Sequence, residues 1–312
     1  MLTVGDLAMP PGSRVHLIGV GGIGMSALAA MLARRGYVVT GSDRSESPRL
    51  DALRTLGVHI GVPQVTGGAG DADLVVISSA IHEDNPELAD ARRCGLPVRH
   101  RADLLAALIA ELTKVAVAGT HGKTTTTSML GTILLECGHD PTIIVGGDAV
   151  NLGGNYYVGA EPVAVFEACE SDASFLRYGP CSEIITSVEA DHLDQHGDFA
   201  TVCRVFEQFI DLVPTDGFLV YNADCEVLVK MAPRARGERL SYGLGGDALF
   251  RADQIELPAC GARFRLLMNG RPLCPVTLQV PGEHNVRNAL AALAAATRLG
   301  VEAEEAAAAL AH

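Results

Sequence analysis

A short glycine-bearing run in the middle of the chain has the residue types that bind nucleotide phosphates. It consists of Gly119, Thr120, His121, Gly122, Lys123, Thr124 and Thr125. In such a turn the backbone N–H groups point at the phosphates, a lysine adds positive charge at the β- and γ-phosphates, and the next hydroxyl binds Mg²⁺. Lys123 and Thr124 are the candidates for these two roles. The usual pattern G-x-x-x-x-G-K-[ST] would place its first glycine at Val117, so this turn is a shortened variant.

Acidic and histidine side chains follow two predicted strands further along the chain. Glu167 ends the apolar run that starts at Val163, Glu170 lies just beyond it, and His192 follows the run that ends at Val188. Mg²⁺ prefers hard oxygen donors, and open α/β sheets bind ligands at the carboxyl ends of their strands. We therefore expect Glu167 and His192 to be functional, whereas a solvated loop or a helix cap is an open alternative for Glu170.

A second glycine motif lies near the N-terminus, where Gly19, Gly21, Gly22 and Gly24 fit the pattern G-x-G-x-x-G after an apolar run. Glycines allow a tight turn and a close approach of the backbone to a diphosphate, which the N-terminus of the following helix also favours. Asp43 stands where a ribose hydroxyl would find a partner. A nicotinamide cofactor, another diphosphate-bearing nucleotide such as a nucleotide sugar, and glycines needed only for helix packing all fit this motif.

Asn285 and Asn288 open a long alanine-rich helix and face the same side of it. An asparagine amide both donates and accepts hydrogen bonds, which suits the edge of an adenine ring. Helix capping is the common alternative for asparagine at this position, and from the residues alone it is the better interpretation.

These motifs need a scaffold of parallel strands, and the apolar runs predict one. Residues 1–111 alternate short apolar runs with helical segments, which is typical of a parallel, doubly wound sheet. The pattern restarts at Lys114 with a strand, the glycine-bearing turn and a helix over Lys123–Glu136. Alternation between Phe250 and Val280 predicts antiparallel strands at one edge. We therefore predict an α/β protein with a Rossmann-like domain over 1–111 and a P-loop-type domain over 112–312.

The composition is that of an ordinary globular chain and argues against several classes of function. Of 312 residues, 48% are hydrophobic, and 24 basic against 37 acidic residues give a net charge of −13. That balance argues against a nucleic acid partner, because binding along a strand needs a basic face. No apolar run reaches the ~20 residues that span a bilayer, and the N-terminus does not resemble a secretory signal. We expect a cytoplasmic protein with no membrane partner. Its eight cysteines, without a C-x-x-C pair, indicate reduced thiols rather than structural zinc.

Several motifs in a fixed order resemble the Mur ligase family. The matching segments are HLIGVGGIGMSALA from His16, GSD from Gly41, SSAI from Ser78, AGTHGKTTTTSM from Ala118, EACESDASF from Glu167, EADHLD from Glu189, YNADC from Tyr221 and PGEHNVRNALAA from Pro281. They run over nearly the whole chain, which makes the resemblance far more specific than either glycine motif alone.

The resemblance implies an ATP-dependent amide-bond ligase of peptidoglycan precursor synthesis. The first domain would hold the UDP part of UDP-N-acetylmuramate, and the second would hold ATP with Mg²⁺ or Mn²⁺. The segment GGIGMS favours the branch that joins L-alanine to the lactyl carboxylate through an acyl phosphate. Within this family Lys123, Glu167 and His192 would be catalytic, and Thr124, Glu167 and His192 would bind metal ions.

The remaining implied contacts involve two larger groups of residues. Those that would bind ATP are Gly119, Thr120, His121, Gly122, Lys123, Thr124, Thr125, Asn285 and Asn288. Those that would bind UDP-N-acetylmuramate are Gly19, Gly21, Gly22, Ile23, Gly24, Met25, Ser26, Ser42, Asp43, Ser78, Ser79 and His121.

The resemblance also implies a third, C-terminal domain that closes over ATP and binds the amino acid, whereas this sequence ends at His312. We therefore expect this chain, as a monomer or a homodimer, to bind nucleotides but to form little product.

Tyr156 and Tyr157 stand where smaller residues are expected, and their roles are open. Replacing Lys123 is expected to lower turnover by orders of magnitude with little loss of fold. Two alternatives remain: a nicotinamide-dependent oxidoreductase and a non-catalytic nucleotide-binding module.

Overall fold

The computed structural model describes residues 1–171, 173–179, 181–191 and 197–311. The chain divides into two compact units, Met1–Glu111 (unit 1) and Leu112–His312 (unit 2). Each unit is a mixed α/β structure with a parallel sheet at its centre, so the predicted fold class is confirmed.

Unit 1 alternates strands with helices in the way its apolar runs predict. Its strands are β1 (Leu2–Val4), β2 (Leu7–Met9), β3 (Arg14–Ile18), β4 (Val38–Ser42), β5 (His59–Gly61), β6 (Leu74–Ile77) and β7 (Val98–His100). Its helices are α1 (Ile23–Arg34), α2 (Pro48–Thr55), α3 (Pro86–Arg93) and α4 (Arg101–Leu108). Strands β1 and β2 pair as a separate antiparallel hairpin.

The main sheet of unit 1 is entirely parallel, with the strand order β5-β4-β3-β6-β7. From β3 the chain builds outward to β4 and β5 on one side and later returns to β6 on the other side. Open α/β sheets bind ligands where the order reverses in this way, beyond the carboxyl ends of the strands. The turn that follows β3 carries the N-terminal glycine motif, Gly19 to Gly24, and lies at this point.

Unit 2 contains a larger sheet and the glycine-bearing turn that starts at Gly119. Its strands are β8 (Thr113–Ala118), β9 (Thr142–Ala149), β10 (Gly154–Tyr157), β11 (Val163–Glu167), β12 (Ser182–Ile185), β13 (Phe218–Asn222), β14 (Glu238–Gly243), β15 (Phe250–Glu256), β16 (Ala262–Met268) and β17 (Arg271–Leu278). Its α-helices among the described residues are α5 (Lys123–Glu136), Phe199–Ile210, Glu226–Met231, Glu283–Arg298 and Ala303–Ala309. Short 3₁₀ turns occupy Val150–Leu152, Ser174–Tyr178 and Ala232–Arg234.

The strand order of the larger sheet is β10-β9-β11-β8-β12-β13-β14-β15-β16-β17. Neighbours from β9 to β15 are parallel, whereas β10 at one edge and β16 and β17 at the other are antiparallel. The edge strand β10 is short and its register shifts, and the edge strand β17 contains Pro272 and Pro275. Strand β8 lies between β11 and β12, so the turn after β8 is flanked by the carboxyl ends of both.

Helices α5 and Glu283–Arg298 pack against each other and against the apolar core of unit 2. Every side chain from Ala289 to Ala296 is buried. Six of these eight residues are alanines, whose small side chains let the helix approach the sheet and α5 closely and bring its first turn to the glycine-bearing turn. Within the ranges described above, no helix has the length and apolar character needed to cross a membrane.

Candidate functional site

Glycines shape the turn between β8 and α5 because the backbone there leaves no room for a side chain. Gly119 has φ +129° and Gly122 has φ +83°, both in the left-handed region that favours glycine. A Cβ on Gly119 would overlap the hydroxyl of Thr186, and one on Gly122 would overlap the side-chain amide of Asn288. The turn can therefore approach both neighbours closely only with glycine at these two positions.

The ammonium group of Lys123 lies within the turn and donates three hydrogen bonds. Its acceptors are the carbonyls of Gly119 (2.5 Å) and Thr120 (3.3 Å) and the carboxylate of Glu170 (2.9 Å). The side chains of Lys123 and Glu170 are only 13% and 4% exposed, so this ion pair is buried. This ion pair changes the expectation that replacing Lys123 would cause little loss of fold. Replacing Lys123 alone would leave a buried carboxylate without its cation, which costs stability as well as activity.

Thr124 and Glu167 lie next to Lys123, at the carboxyl ends of the adjacent strands β8 and β11. The Thr124 hydroxyl donates to Glu167 Oε2 (2.8 Å), which also accepts the Gly146 backbone N–H (2.8 Å). A hydroxyl and a carboxylate are hard oxygen donors, so this pair fits the ligand preference of Mg²⁺. Over the described ranges, no group of three or more His, Cys, Asp or Glu side chains forms a metal site. His192, the third predicted metal ligand, lies outside the described residues.

Residues after β12 fix the outer side of the turn. The Thr120 amide donates to the Ser187 carbonyl (2.9 Å) and the His121 amide to the Ser187 hydroxyl (3.2 Å). The Thr186 hydroxyl donates to the His121 carbonyl (2.5 Å). Sequence reasoning missed Thr186 and Ser187, although only Val188 separates them from the EADHLD segment. The His121 ring itself is 71% exposed, with Nε2 3.8 Å from the Glu189 carboxylate.

A cleft of about 610 Å³ opens beside this turn. It is lined by His121, Gly122, Thr186, Ser187, Glu189, Asn222, Asp224, Cys225, Tyr242, His284, Arg287 and Asn288. Of the two predicted asparagines, Asn288 lines the cleft, whereas Asn285 lies behind it. The Asn285 amide donates to the Pro281 carbonyl (2.7 Å), and its oxygen accepts from the Asn288 amide (3.2 Å). Asn285 therefore orients Asn288 and links it to the start of the helix.

Asp224 and Arg287 form an ion pair (3.2 Å) in the same cleft, and the sequence reasoning gave neither a role. Partial burial acts to raise the pKa of Asp224. Backbone N–H groups of Leu244 and Gly245 and the Arg287 guanidinium all donate to its carboxylate and outweigh burial, so the net pKa is lowered. Asp224 therefore stays ionised and holds Arg287 at the cleft. Asp224 could have been recognised from the sequence as a candidate site residue, because it lies just after the strand β13.

The glycine turn of unit 1 is held by hydrogen bonds from its own amides. Gly19 and Val20 N–H both donate to the Ser42 carbonyl (2.8 and 2.9 Å). Gly21 N–H donates to Asp43 Oδ2 (2.8 Å), and Gly22 N–H donates back to the Gly19 carbonyl (3.0 Å). The predicted ribose partner, Asp43, thus binds the turn itself, while its other oxygen accepts the amide of the following residue.

A cleft of about 370 Å³ lies over this turn. It is lined by Gly19, Gly21, Gly22, Asp43, Arg44, Ser45, Ser47, Arg49, Gln64, Ser78, Ala80 and Ile81. Two cationic side chains, Arg44 and Arg49, were missed because they come from the segment after β4, where the sequence shows no motif. The Arg49 guanidinium also donates to the Gly21 carbonyl (3.2 Å).

Several residues predicted to bind substrate in unit 1 do not line this cleft with their side chains. Met25 and Ser26 are buried in α1, where the Ser26 hydroxyl donates to the Ile23 carbonyl (2.9 Å). Ser42 is buried and its hydroxyl donates to Glu87. The Ser79 hydroxyl lies 3.1 Å from His100 Nε2. Ile23 and Gly24 form the first turn of α1, where backbone N–H groups lack intrahelical acceptors.

Two family models match the chain over most of its length. The model described as Mur ligase family, catalytic domain, matches residues 14–113, and the Mur ligase middle domain matches residues 117–296. Two curated relatives are named UDP-N-acetylmuramate–L-alanine ligase. The protein of Renibacterium salmoninarum is 46% identical over 96% of this chain, and that of Aquifex aeolicus is 42% identical over 93%. The chain spans 64% of the length of each.

Solved structures of related ligases are also similar to this chain. The UDP-N-acetylmuramate–alanine ligase of Thermotoga maritima matches 95% of this chain and 67% of its own, with a TM-score of 0.86 and 32% identity. The UDP-N-acetylmuramate:L-alanyl-γ-D-glutamyl-meso-diaminopimelate ligase of Neisseria meningitides matches 96% of this chain and 97% of its own, with a TM-score of 0.87 and 28% identity. Because the middle-domain model alone matches more than half of the residues, the chain belongs to the Mur ligase family.

Proposed function

We propose that this chain is the nucleotide-binding part of a cytoplasmic, ATP-dependent ligase that joins L-alanine to the lactyl carboxylate of UDP-N-acetylmuramate. The observation that carries the proposal is the convergence of Lys123, Thr124 and Glu167 at the carboxyl ends of β8 and β11. This convergence lies within the segment that matches the Mur ligase middle domain. The substrates are taken from the names of the relatives.

Unit 2 would bind ATP at the turn after β8. Lys123 would exchange its present acceptors for phosphate oxygens, and the amides of the turn would face the same phosphates. The cleft beside Gly122 and Asn288 would hold the nucleoside. Thr124 and Glu167 would hold Mg²⁺ or Mn²⁺, which when bound would neutralise charge on the phosphates. His192 remains the candidate for a second ion.

Unit 1 would bind the UDP part of UDP-N-acetylmuramate over its glycine turn. The first turn of α1 offers backbone N–H groups and the positive end of the helix dipole, which favour a diphosphate. Arg44 and Arg49 line the cleft and would add two positive charges. Ser78 and Asp43 lie at the same cleft and would contact the remaining polar groups.

The reaction would proceed in two transfers. A lactyl carboxylate oxygen forms a bond to the γ-phosphorus of ATP while the bond to ADP breaks, which gives an acyl phosphate. The amine of L-alanine then bonds to the acyl carbon, phosphate leaves, and the amine loses a proton. Lys123 would stabilise the charge that builds on the transferred phosphoryl group, a role whose removal costs about 10²–10³-fold in rate. His121, exposed beside the turn, would face the lactyl carboxylate.

Binding measurements on the chain test the nucleotide assignments. In isothermal titration calorimetry we expect UDP-N-acetylmuramate and a non-hydrolysable ATP analogue with Mg²⁺ to bind, and NAD not to bind. Lys123→Met should abolish binding of the ATP analogue and leave UDP-N-acetylmuramate unaffected. Binding of NAD without binding of any uridine nucleotide would favour the oxidoreductase instead.

The Neisseria structural neighbour, which matches this chain with a TM-score of 0.87, makes a tripeptide ligase the second candidate. ADP release separates the two, measured with the chain extended to the length of its curated relatives. We expect release with L-alanine and none with L-alanyl-γ-D-glutamyl-meso-diaminopimelate. The opposite pattern would assign the second function, and no release with either would favour a non-catalytic module.

A further inference from the structure

A network of polar side chains lies beneath the glycine turn of unit 1, away from the cleft. His16 on β3, Ser42 at the end of β4 and Glu87 at the start of α3 are each at most 2% exposed. The Ser42 hydroxyl donates to Glu87 Oε2. His16 Nε2 lies 3.7 Å from the same oxygen, and His16 Nδ1 lies 2.9 Å from the Thr40 hydroxyl. Buried polar groups of this kind are costly unless they are paired, so their arrangement is closely fixed.

Glu87 is well placed to remain in this network. It lies in the first turn of α3, where the positive end of the helix dipole favours a carboxylate. The helix is fixed in turn by Asn85, whose side chain accepts the Glu87 and Leu88 amides (3.0 and 3.1 Å). A Cβ on Gly68 would overlap Glu87 Oε1, so the carboxylate is packed against bare backbone on its other side.

The network reaches the turn through one residue. Ser42 binds Glu87 with its side chain, and its carbonyl accepts the Gly19 and Val20 amides that begin the turn. The position of Ser42 therefore sets where the turn starts. The residue after it, Asp43, accepts the Gly21 amide with its side-chain carboxylate. Movement of the end of β4 would displace three consecutive amides of the turn together.

We propose that Ser42 and Glu87 are positioning residues for the UDP part of UDP-N-acetylmuramate. They do not touch the nucleotide. They fix the end of β4, which holds the glycine turn in the conformation that receives the diphosphate. This inference rests on the proposed function of unit 1, and it assigns the Ser42 side chain a role other than direct contact with substrate.

The test compares variants that break the network at different points. Ser42→Ala and Glu87→Ala remove the donor and the acceptor of the contact that holds β4. Glu87→Gln keeps an oxygen that can accept from Ser42, and Ser42→Cys keeps a weaker donor of similar size. Thr40→Val is the matched control, because it removes a hydroxyl of the same network on the same strand that makes no contact with the turn.

Affinities are measured by isothermal titration calorimetry on the whole chain, with UDP-N-acetylmuramate and with a non-hydrolysable ATP analogue. We expect Ser42→Ala and Glu87→Ala to weaken UDP-N-acetylmuramate binding by roughly tenfold or more, because the hydrogen bond is lost and its remaining buried partner is left unsatisfied. Glu87→Gln and Thr40→Val should stay within about twofold of the unmodified chain, and Ser42→Cys should fall between. Binding of the ATP analogue should not change, because it occurs in unit 2.

Two different failures can be told apart. If the unmodified chain binds UDP-N-acetylmuramate and both alanine variants bind it equally well, the positioning role is refuted and the proposed function stands. If the unmodified chain binds no uridine nucleotide, the proposed function of unit 1 fails and the inference fails with it. If an alanine variant does not fold, the folded variants Glu87→Gln and Ser42→Cys still test the positioning role. Tenfold weakening in Glu87→Gln, or none in Ser42→Cys, would contradict the role.

Discussion

The buried ion pair between Lys123 and Glu170 leads to a prediction about stability that is separate from activity. Both side chains are largely buried, and the ammonium is the cation that faces the carboxylate at 2.9 Å. Removing one partner of a buried pair typically costs about 3–5 kcal/mol, because the other charge is left uncompensated. We take the lower end, about 3 kcal/mol, for Lys123→Met. With about 2–4 °C per kcal/mol for a unit of this size, the unfolding midpoint of unit 2 should fall by roughly 6–12 °C.

The assay is differential scanning calorimetry of the nucleotide-free chain, and two further variants make the result specific. The double variant Lys123→Met with Glu170→Gln carries no unpaired charge and should recover to within about 1 kcal/mol of the unmodified chain. Arg234→Met removes a cation from an ion pair with Asp211 in which both side chains are more than 40% exposed. It should lower the unfolding midpoint far less than Lys123→Met does, because solvent screens an exposed pair. If Lys123→Met melts within about 2 °C of the unmodified chain, or if the double variant melts lower than the single one, the reasoning about the buried pair is refuted.

Three further predictions concern other parts of unit 2. Gly122→Ala should abolish binding of an ATP analogue, because Gly122 has φ +83° and a Cβ there would overlap Asn288. The control Gly138→Ala should bind the analogue normally, because Gly138 has a similar φ of +86° but no atom lies close to its Cβ position. Equal binding by both variants would contradict this. Burial, with the nearby Asp211 carboxylate, raises the pKa of Glu183 well above its usual value. Its stabilising contribution is therefore complete below the usual value of 4.5 and is lost as the pH rises through the folded-state pKa. The Glu183→Gln variant should melt at a higher temperature than the unmodified chain at pH 8. If the difference in melting temperature between the variant and the unmodified chain is the same at pH 5 and at pH 8, this prediction is refuted. Glu167→Gln should weaken binding of the ATP analogue roughly tenfold with Mg²⁺ and leave it unchanged in EDTA, and an equal loss in EDTA would exclude a role at the metal.

The sequence predicted the fold well where local signals agree. The helix α5 begins and ends at the predicted residues, Lys123 and Glu136, since the glycine-bearing turn marks its start. The helix Phe199–Ile210 was missed, although Val202, Phe206 and Phe209 form a buried stripe at helical spacing and Asp198 caps its start. Its apolar residues are separated by polar ones, so it has no continuous apolar run.

The candidate site was predictable where a short segment carries both the motif and the predicted strand or helix next to it. Lys123, Thr124 and Glu167 follow from the phosphate turn and from the end of a neighbouring strand. Thr186 and Arg49 could not be found in this way, because their roles depend on contacts with distant segments. The sequence also does not reveal side-chain direction at the end of a strand, which is why Ser42 was assigned to substrate although its hydroxyl faces Glu87.

The two outermost strands of the sheet in unit 2 bear on how this protein behaves at high concentration. An unprotected edge strand offers a row of N–H and C=O groups to which another molecule can add a strand. Proline lacks the N–H, so Pro272 and Pro275 leave gaps in that row along β17, and the opposite edge, β10, is too short and irregular to offer a long template. Growth of the sheet from one molecule to the next is disfavoured at both ends, which helps a protein with so large a sheet to resist fibrous aggregation.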